Sequence, residues 1–326
     1  MISREVSIAP MMGWTDRHAR YFLRLITRRS LLYTEMVNTG ALLHNKQRVG
    51  DQKRLLAFHA SEHPLALQLG GSDPQALKQC ASMAEDAGFD EVNLNVGCPS
   101  DRVRSGSFGA CLMAKPELVA DCVSAMQEKI SIPVTVKCRI GIDDMETYQE
   151  FENFVSLVAE AGCEIFIVHA RKAWLQGLSP KQNREIPPLK YDFVHRLKKD
   201  NPALTIVING GIKNMETIQQ QLCHVDGAMI GREAYHNPYI LALVDKDVYQ
   251  DTNADQKTRE EIVHLMCDYI DSEQEKGVAL HSMTRHILGL FQGCRGARAW
   301  RRYLSENSYQ DGKGSLVVKA ALRQIF

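Results

Sequence analysis

The sequence predicts a (β/α)8 TIM barrel followed by a small, all-helical C-terminal domain. Three observations carry that prediction. Eight short apolar segments recur between residues 6 and 231, helical patterns separate most of them, and both rhythms stop after Tyr235. Strands alternating with helices over about 240 residues fit a parallel sheet with helices packed outside it. The alternative is an open, doubly wound sheet, because periodicity does not report closure.

The expected strands are 6–9, 31–36, 65–69, 91–96, 134–138, 165–169, 205–209 and 228–231. Asp73-Pro74 caps and opens a helix that carries Leu77, Cys80, Ala81, Ala84 and Ala87 on one face and ends at Gly88. Pro116 opens the second half of another that ends near Ile130; the pattern repeats over 148–161, stopping at Gly162, and over 214–223, before Asp226-Gly227. His236-Asn237-Pro238 then breaks the chain, and the acidic stretch 245–255 reads as a linker. Helical patterns at 258–275, 282–290, 295–305 and 315–324 follow. The expected division is a catalytic barrel over 1–244 and a helical domain over 245–326.

Composition narrows the function classes. A chain of 326 residues, 44% hydrophobic and 24% charged, is ordinary for a globular protein. No apolar run approaches the roughly 18 residues of a membrane span, and the N-terminus lacks the charged and apolar regions of a signal peptide. The nine cysteines show no CxxC or Cys/His ligand spacing, which argues against a disulfide framework and against a metal site. A reducing, cytoplasmic setting is expected, and nothing asks for an obligate protein partner. Net charge is zero, but from Gly277 onward eight Lys and Arg face two Asp and Glu, a surplus of +6 that leaves −6 for the first 276 residues. That asymmetry points to a polyanionic partner for the C-terminal part.

In a barrel of this kind the strand C-termini build the site. Those ends carry Pro10-Met11-Met12, Glu35, Gln68, Asn95 with Cys98, Lys137 with Arg139, His169 with Arg171, Asn209-Gly210-Gly211 and Gly231-Arg232. The last two sets are placed to hold a phosphate through glycine N–H groups. Lys137 and Arg139 alternate on one strand, so both face one way, and a buried lysine is costly without an anionic ligand. Taken singly, each position has a plainer reading: Gly210-Gly211 as a tight turn, His169 as a core histidine, Cys98 as a small buried hydrophobe. Cys80, Cys122, Cys163, Cys223 and Cys267 get that packing role, and Cys111 stays ambiguous. The loop between His169 and Tyr191 is long for a βα connection, basic, and carries Trp174.

The residues also carry a resemblance. Ser7-Ile8-Ala9-Pro10-Met11, Asn95-Val96-Gly97-Cys98-Pro99-Ser100, Val134-Thr135-Val136-Lys137-Cys138-Arg139, Val168-His169-Ala170-Arg171, Ile208-Asn209-Gly210-Gly211-Ile212 and Ile230-Gly231-Arg232 resemble the motif series of the tRNA-dihydrouridine synthases, in order, from residue 6 onward. The long loop and Gly293-Cys294-Arg295-Gly296-Ala297-Arg298-Ala299-Trp300-Arg301-Arg302 resemble the A-type bacterial subfamily, which acts on D-loop positions 20 and 20a.

The resemblance implies bound FMN, NADPH as reductant and tRNA as substrate. It implies Pro10, Met11 and Met12 against the flavin ring, Gln68 and Lys137 on its polar edge, and His169 against the flavin or its phosphate tail. Asn209, Gly210, Gly211, Gly231 and Arg232 would hold the phosphate. Reduction of the uracil 5,6-double bond needs a hydride at C6 and a proton at C5; the flavin is implied for the first and Cys98, as general acid, for the second. Asn95 is expected to orient the uracil, and Arg139 and Arg171 to meet it or a nearby phosphate. Lys181 and Arg184 in the long loop, with Arg295, Arg298 and Arg301 (Arg302 beside them) on one helical face and Trp300 in the core, are expected to meet RNA phosphates. Two other functions fit parts of the pattern: an FMN barrel dehydrogenase acting on a small molecule, and a catalytically silent tRNA-binding protein.

Overall fold

The computed structural model describes residues 2–44, 49–100, 106–253, 256–309 and 314–325. Among them nine strands form: β1 (Val6–Ile8), β2 (Leu31–Tyr33), β3 (Val37–Asn38), β4 (Leu65–Gly70), β5 (Glu91–Val96), β6 (Val134–Arg139), β7 (Ile165–His169), β8 (Thr205–Asn209) and β9 (Gly227–Ile230). All pairings are parallel. β1 bonds both β2 and β9, and β2 bonds β4, so eight strands close into a ring and the open-sheet alternative falls.

The segment expected as one strand over 31–36 is split. Thr34 Oγ1 accepts the Gln68 N–H (3.1 Å), so a side chain takes the place of a backbone acceptor and the chain turns out of the ladder. It rejoins as β3, which pairs with the end of β4 at Leu69 and Gly70.

Among the described residues ten helices pack around the strands: α1 (Arg17–Ile26), α2 (Thr39–His44), α3 (Val49–Leu55), α4 (Pro74–Asp86), α5 (Pro116–Gln127), α6 (Tyr148–Glu160), α7 (Tyr191–Asp200), α8 (Met215–Leu222), α9 (Arg232–His236) and α10 (Val244–Asp247). Helix α4 forms as its sequence dictates. Asp73 accepts the Ala76 N–H, Pro74 fills the first turn, and Leu77, Cys80, Ala81 and Ala84 are buried. α1 is not among the helices expected above, and it buries two arginines along with its apolar side. Arg20 pairs with Glu62 at 2.6 Å, and Arg24 donates to the carbonyls of Thr27, Ser30, Glu62 and Pro64. Cys223, expected as a packed thiol, is exposed at the end of α8.

Four further helices, α11 (Arg259–Glu275), α12 (Leu280–Ile287), α13 (Ala297–Asn307) and α14 (Ser315–Leu322), surround Trp300, whose indole N–H donates to Ile287 O at 3.1 Å. They lean on α1, where His18 Nδ1 and Tyr269 Oη lie 2.7 Å apart and Tyr21 stacks on Tyr269. The reading of 245–255 as a linker is corrected over its first part. Asp245 is buried and accepts from the Thr27 hydroxyl (2.7 Å) and from the N–H groups of Arg28 and Arg29, and Tyr249 Oη brackets both backbone groups of Val6. These acidic and polar side chains seal the end of α1 and the foot of β1, which moves the proposed start of the helical domain past Tyr249. Residues 254 and 255 lie outside the described residues.

Candidate active site

Cys98 stands in the turn that follows β5, and three contacts fix that turn. Asn95 Oδ1 accepts the N–H groups of Gly97 (3.1 Å) and Cys98 (3.0 Å). Arg139 Nε donates to Gly97 O (2.9 Å). Ala110 N–H returns to Cys98 O (2.9 Å). The half-buried thiol is 3.4 Å from Ser100 Oγ. Cys111 turns away from this arrangement, its thiol on Phe108 O.

On the neighbouring strand β6, Lys137, in register with Asn95, donates from Nζ to Asn209 Oδ1 at 3.2 Å, and the Asn209 amide is fixed in turn by Met229 O at 2.7 Å. Burial, with the Arg139 cation beside it, brings the Lys137 ammonium down to about 8. Burial also holds His169 well below its ordinary value, and Arg139, Lys137, Arg171 and Arg184 push the same way. Among the described residues, His169 Nδ1 is buried without a hydrogen-bond partner. Gly210 and Gly211 both adopt positive φ (+110° and +74°), and a Cβ on Gly211 would stand 2.7 Å from Tyr191 Oη. Glycine is needed at both for the backbone conformation and for the close approach of His169, Leu189 and Tyr191.

The long loop after β7 is internally bonded. Arg139 Nη1 donates to the carbonyls of Lys172 (3.0 Å) and Asn183 (3.1 Å). The fully buried Asn183 closes the loop on itself, accepting from Trp174 N and donating to Trp174 O and Leu178 O. Lys172 lies 4.0 Å over the Trp174 ring, and Arg171 donates to Pro187 O. Lys181 and Arg184 are exposed on the loop surface, and Arg232 pairs with Glu185 at 2.6 Å.

One cavity of about 1570 Å³ collects the thiol, every residue expected to hold cofactor, and Asn95, Arg139, Arg171 and Arg184. Lys181 does not line it. Trp14, Met36, Asn38, Phe108 and Leu189 also line it; no motif or spacing marked them, since they come from loops and from the short β3 turned out of the expected strand, whose course only the fold supplies. Arg139, expected at the substrate, has its Nε and Nη1 committed to backbone carbonyls. Arg295 precedes α13 instead of lying on it, because Gly296 in the left-handed region (φ +82°) caps the helix and starts it at Ala297. Arg298 is exposed, whereas Arg301 is half-buried and donates to Gln292 Oε1 at 2.8 Å.

A closed parallel barrel whose mouth gathers a thiol, oriented amides and several cations around a large cavity defines an enzyme that works on an anionic cofactor or substrate. Comparison with known proteins makes the assignment particular. The family model described as dihydrouridine synthase matches residues 7–326. Proteins named tRNA-dihydrouridine(20/20a) synthase are similar over nearly the whole chain. The one from Vibrio parahaemolyticus is 57% identical, covering 99% of this chain and 97% of its own, and the one from Escherichia coli K12 is 58% identical, covering 99% and 92%. The Shewanella oneidensis protein of that name is 57% identical, covering 99% and 95%. A solved 2-naphthoyl-CoA reductase shares the fold alone, with a TM-score of 0.58 and 10% identity over 74% of this chain and 50% of its own. The chain belongs to the dihydrouridine synthase family, whose members are flavin-dependent, tRNA-modifying oxidoreductases.

Proposed function

We propose that this chain reduces the 5,6-double bond of uridines in the D-loop of tRNA, at positions 20 and 20a, with FMN as the bound flavin and NADPH as the reductant. The observation that carries the reading is the held Cys98 turn beside a half-buried lysine of the neighbouring strand, both lining one cavity. The residues present fit FMN. Lys137 faces the cavity bonded to an amide oxygen, His169 Nδ1 is a buried polar atom unmet among the described residues, and Gly210, Gly211 and Gly231 line the same cavity, Gly231 with open space where a Cβ would stand. FMN, when bound, supplies the hydride that goes to C6.

The rest falls to the chain's own side chains. Gln68 spends one amide N–H on Asn93 and one lone pair on Asn95, keeping one of each for the polar edge of a ring. Asn95 uses its oxygen fully on the Cys98 turn and one N–H on Gln68, so a single N–H remains for a uracil carbonyl. Cys98 gives its proton to C5. Lys137, Arg139 and Arg184 stand within electrostatic reach of its sulfur and stabilise the thiolate that proton transfer leaves behind. Arg139 serves chiefly as the clamp between this turn and the long loop. The target uridine must leave its stack to enter the cavity. Among the described residues no helix is long and apolar enough to cross a membrane, which suits the proposed cytoplasmic setting.

Replacement Cys98→Ala tests the reading. FMN content, tRNA affinity and flavin reduction by NADPH should persist while dihydrouridine at positions 20 and 20a falls at least about a hundredfold, a loss on the scale of one general acid. Nucleoside analysis of tRNA from cells carrying only the variant measures it, and unchanged dihydrouridine would remove Cys98 from the proton transfer.

A further inference from the structure

The barrel interior holds a polar column reaching well below the cavity. Such interiors are ordinarily filled by branched apolar side chains. Here Glu91, Asn93, Gln68 and Thr135, each at most 1% exposed, stand on β4, β5 and β6 and form one hydrogen-bonded chain. Glu91, at the start of β5, pairs with Arg4 at 2.5 Å and accepts the Tyr33 and Thr135 hydroxyls at 2.8 and 2.7 Å. Thr135 Oγ1 accepts Asn93 Nδ2 (2.8 Å), Asn93 Oδ1 accepts Gln68 Nε2 (2.8 Å), and Gln68 Oε1 accepts Asn95 Nδ2 (2.8 Å). Asn95 Oδ1 then receives the N–H groups of Gly97 and Cys98.

The direction of every link is forced from both ends. A carboxylate only accepts, so Thr135 must spend its one proton on Glu91 and present a lone pair to Asn93. Backbone N–H groups only donate, so Asn95 must turn its oxygen to the Cys98 turn. Amide side chains, individually free to rotate by half a turn, are left one orientation each. Reversing any one of them leaves a buried donor facing a donor somewhere along the chain.

We propose that Glu91 and Thr135 are positioning residues for the reaction: through this one-way chain the closed end of the barrel fixes the amides of Gln68 and Asn95 and holds the Cys98 turn. The proposal rests on the reading of Gln68 as a flavin contact and Cys98 as the proton donor.

Thr135→Val removes the hydroxyl link and leaves the Arg4–Glu91 pair in place, while Thr135→Ser keeps the link. For Thr135→Val, the FMN affinity of the apoprotein should fall about tenfold, the scale of one buried donor left unmet. The visible bands of the bound flavin should shift. The kcat for tRNA reduction should fall about tenfold with KM for tRNA unchanged. Thr135→Ser should restore all three. A folded Thr135→Val protein with wild-type FMN affinity, bands and kcat overturns the proposal, as does a serine variant that restores none of them, since the effect would then be packing alone. If the valine variant does not fold, Thr135→Ala opens the same gap without a methyl against Asn93 and is judged by the same readouts. Dihydrouridine made by Cys98→Ala would defeat the proton-donor reading and leave the affinity and band arms of this test standing.

Discussion

Lys137 shows how a residue proposed to hold FMN can cost the fold that carries it. Its ammonium is held at about 8 against an ordinary 10.5, with burial the first cause and the Arg139 cation the second. The folded state therefore favours the neutral amine. The stability this group contributes is fully present above pH 10.5 and is lost as pH falls through 8. Lys137→Met should accordingly make the apoprotein more stable than wild type by about 2–3 kcal/mol below pH 8, the gap closing between pH 8 and 10.5. The same variant should bind FMN more weakly. Denaturant midpoints of both apoproteins across that pH range measure the gap, and a gap independent of pH would refute burial as its cause. Lys137 and Cys98 were legible in the sequence because strand-end residues of a barrel face the mouth. Thr135 and Asn183 were not, since a buried threonine or asparagine looks like any other until its partners, 42 and 9 residues away, are in place.

At the scale of elements, the segment 170–190 was legible as a functional loop from its length and charge. Its internal order was not, because that depends on Arg139 reaching across from β6 and on Asn183 folding inward. Asn183→Ala should leave two backbone carbonyls and one N–H of the loop without their partner. The expected result is a new cleavage site within 170–190 in limited proteolysis, at near-wild-type barrel stability, and a raised KM for tRNA with unchanged flavin reduction by NADPH. A loop that stays resistant would show that Arg139 and the Lys172–Trp174 contact suffice to order it. Helix α1 illustrates the opposite failure of legibility. Its apolar residues share one side, but Arg20 and Arg24 on the other side are buried too, by ion pairing and carbonyl bonds that no periodicity count anticipates.

For the molecule as a whole, the question is whether the C-terminal helices and the barrel mouth present one surface to tRNA. Asp16, in the loop after β1 that carries Met11 and Met12, accepts from Arg285 (2.5 Å) and His286 (3.0 Å) of α12. Burial alone would raise the Asp16 carboxyl, yet these partners and the Ala19 N–H hold it well below the usual range. Tyr235, after the last strand, reaches His286 Nδ1 at 3.1 Å and stacks on Trp14 of the cavity wall at 4.7 Å. The proposed phosphate contact on α13, which bonds α12 through Trp300 and Ile287, is thus linked to the loop beside the cavity. The charge surplus behind that contact was legible in the composition, whereas the register of the helix was not, because it begins at Ala297. Arg298 and Arg302 are exposed one turn apart, while Arg301 is partly covered and bonded to Gln292. Replacing Arg298 and Arg302 together by glutamine should weaken tRNA binding and reduce the slope of log Kobs against log salt by about 1.5, the share of two released counterions. Arg301→Gln should change the slope less, since its guanidinium already has a partner in the protein. Flavin reduction by NADPH should be the same in all three proteins. Equal slopes for wild type and the double variant would return α13 to being a solvated face, and the tRNA would then have to be held by Lys181, Arg184 and the long loop.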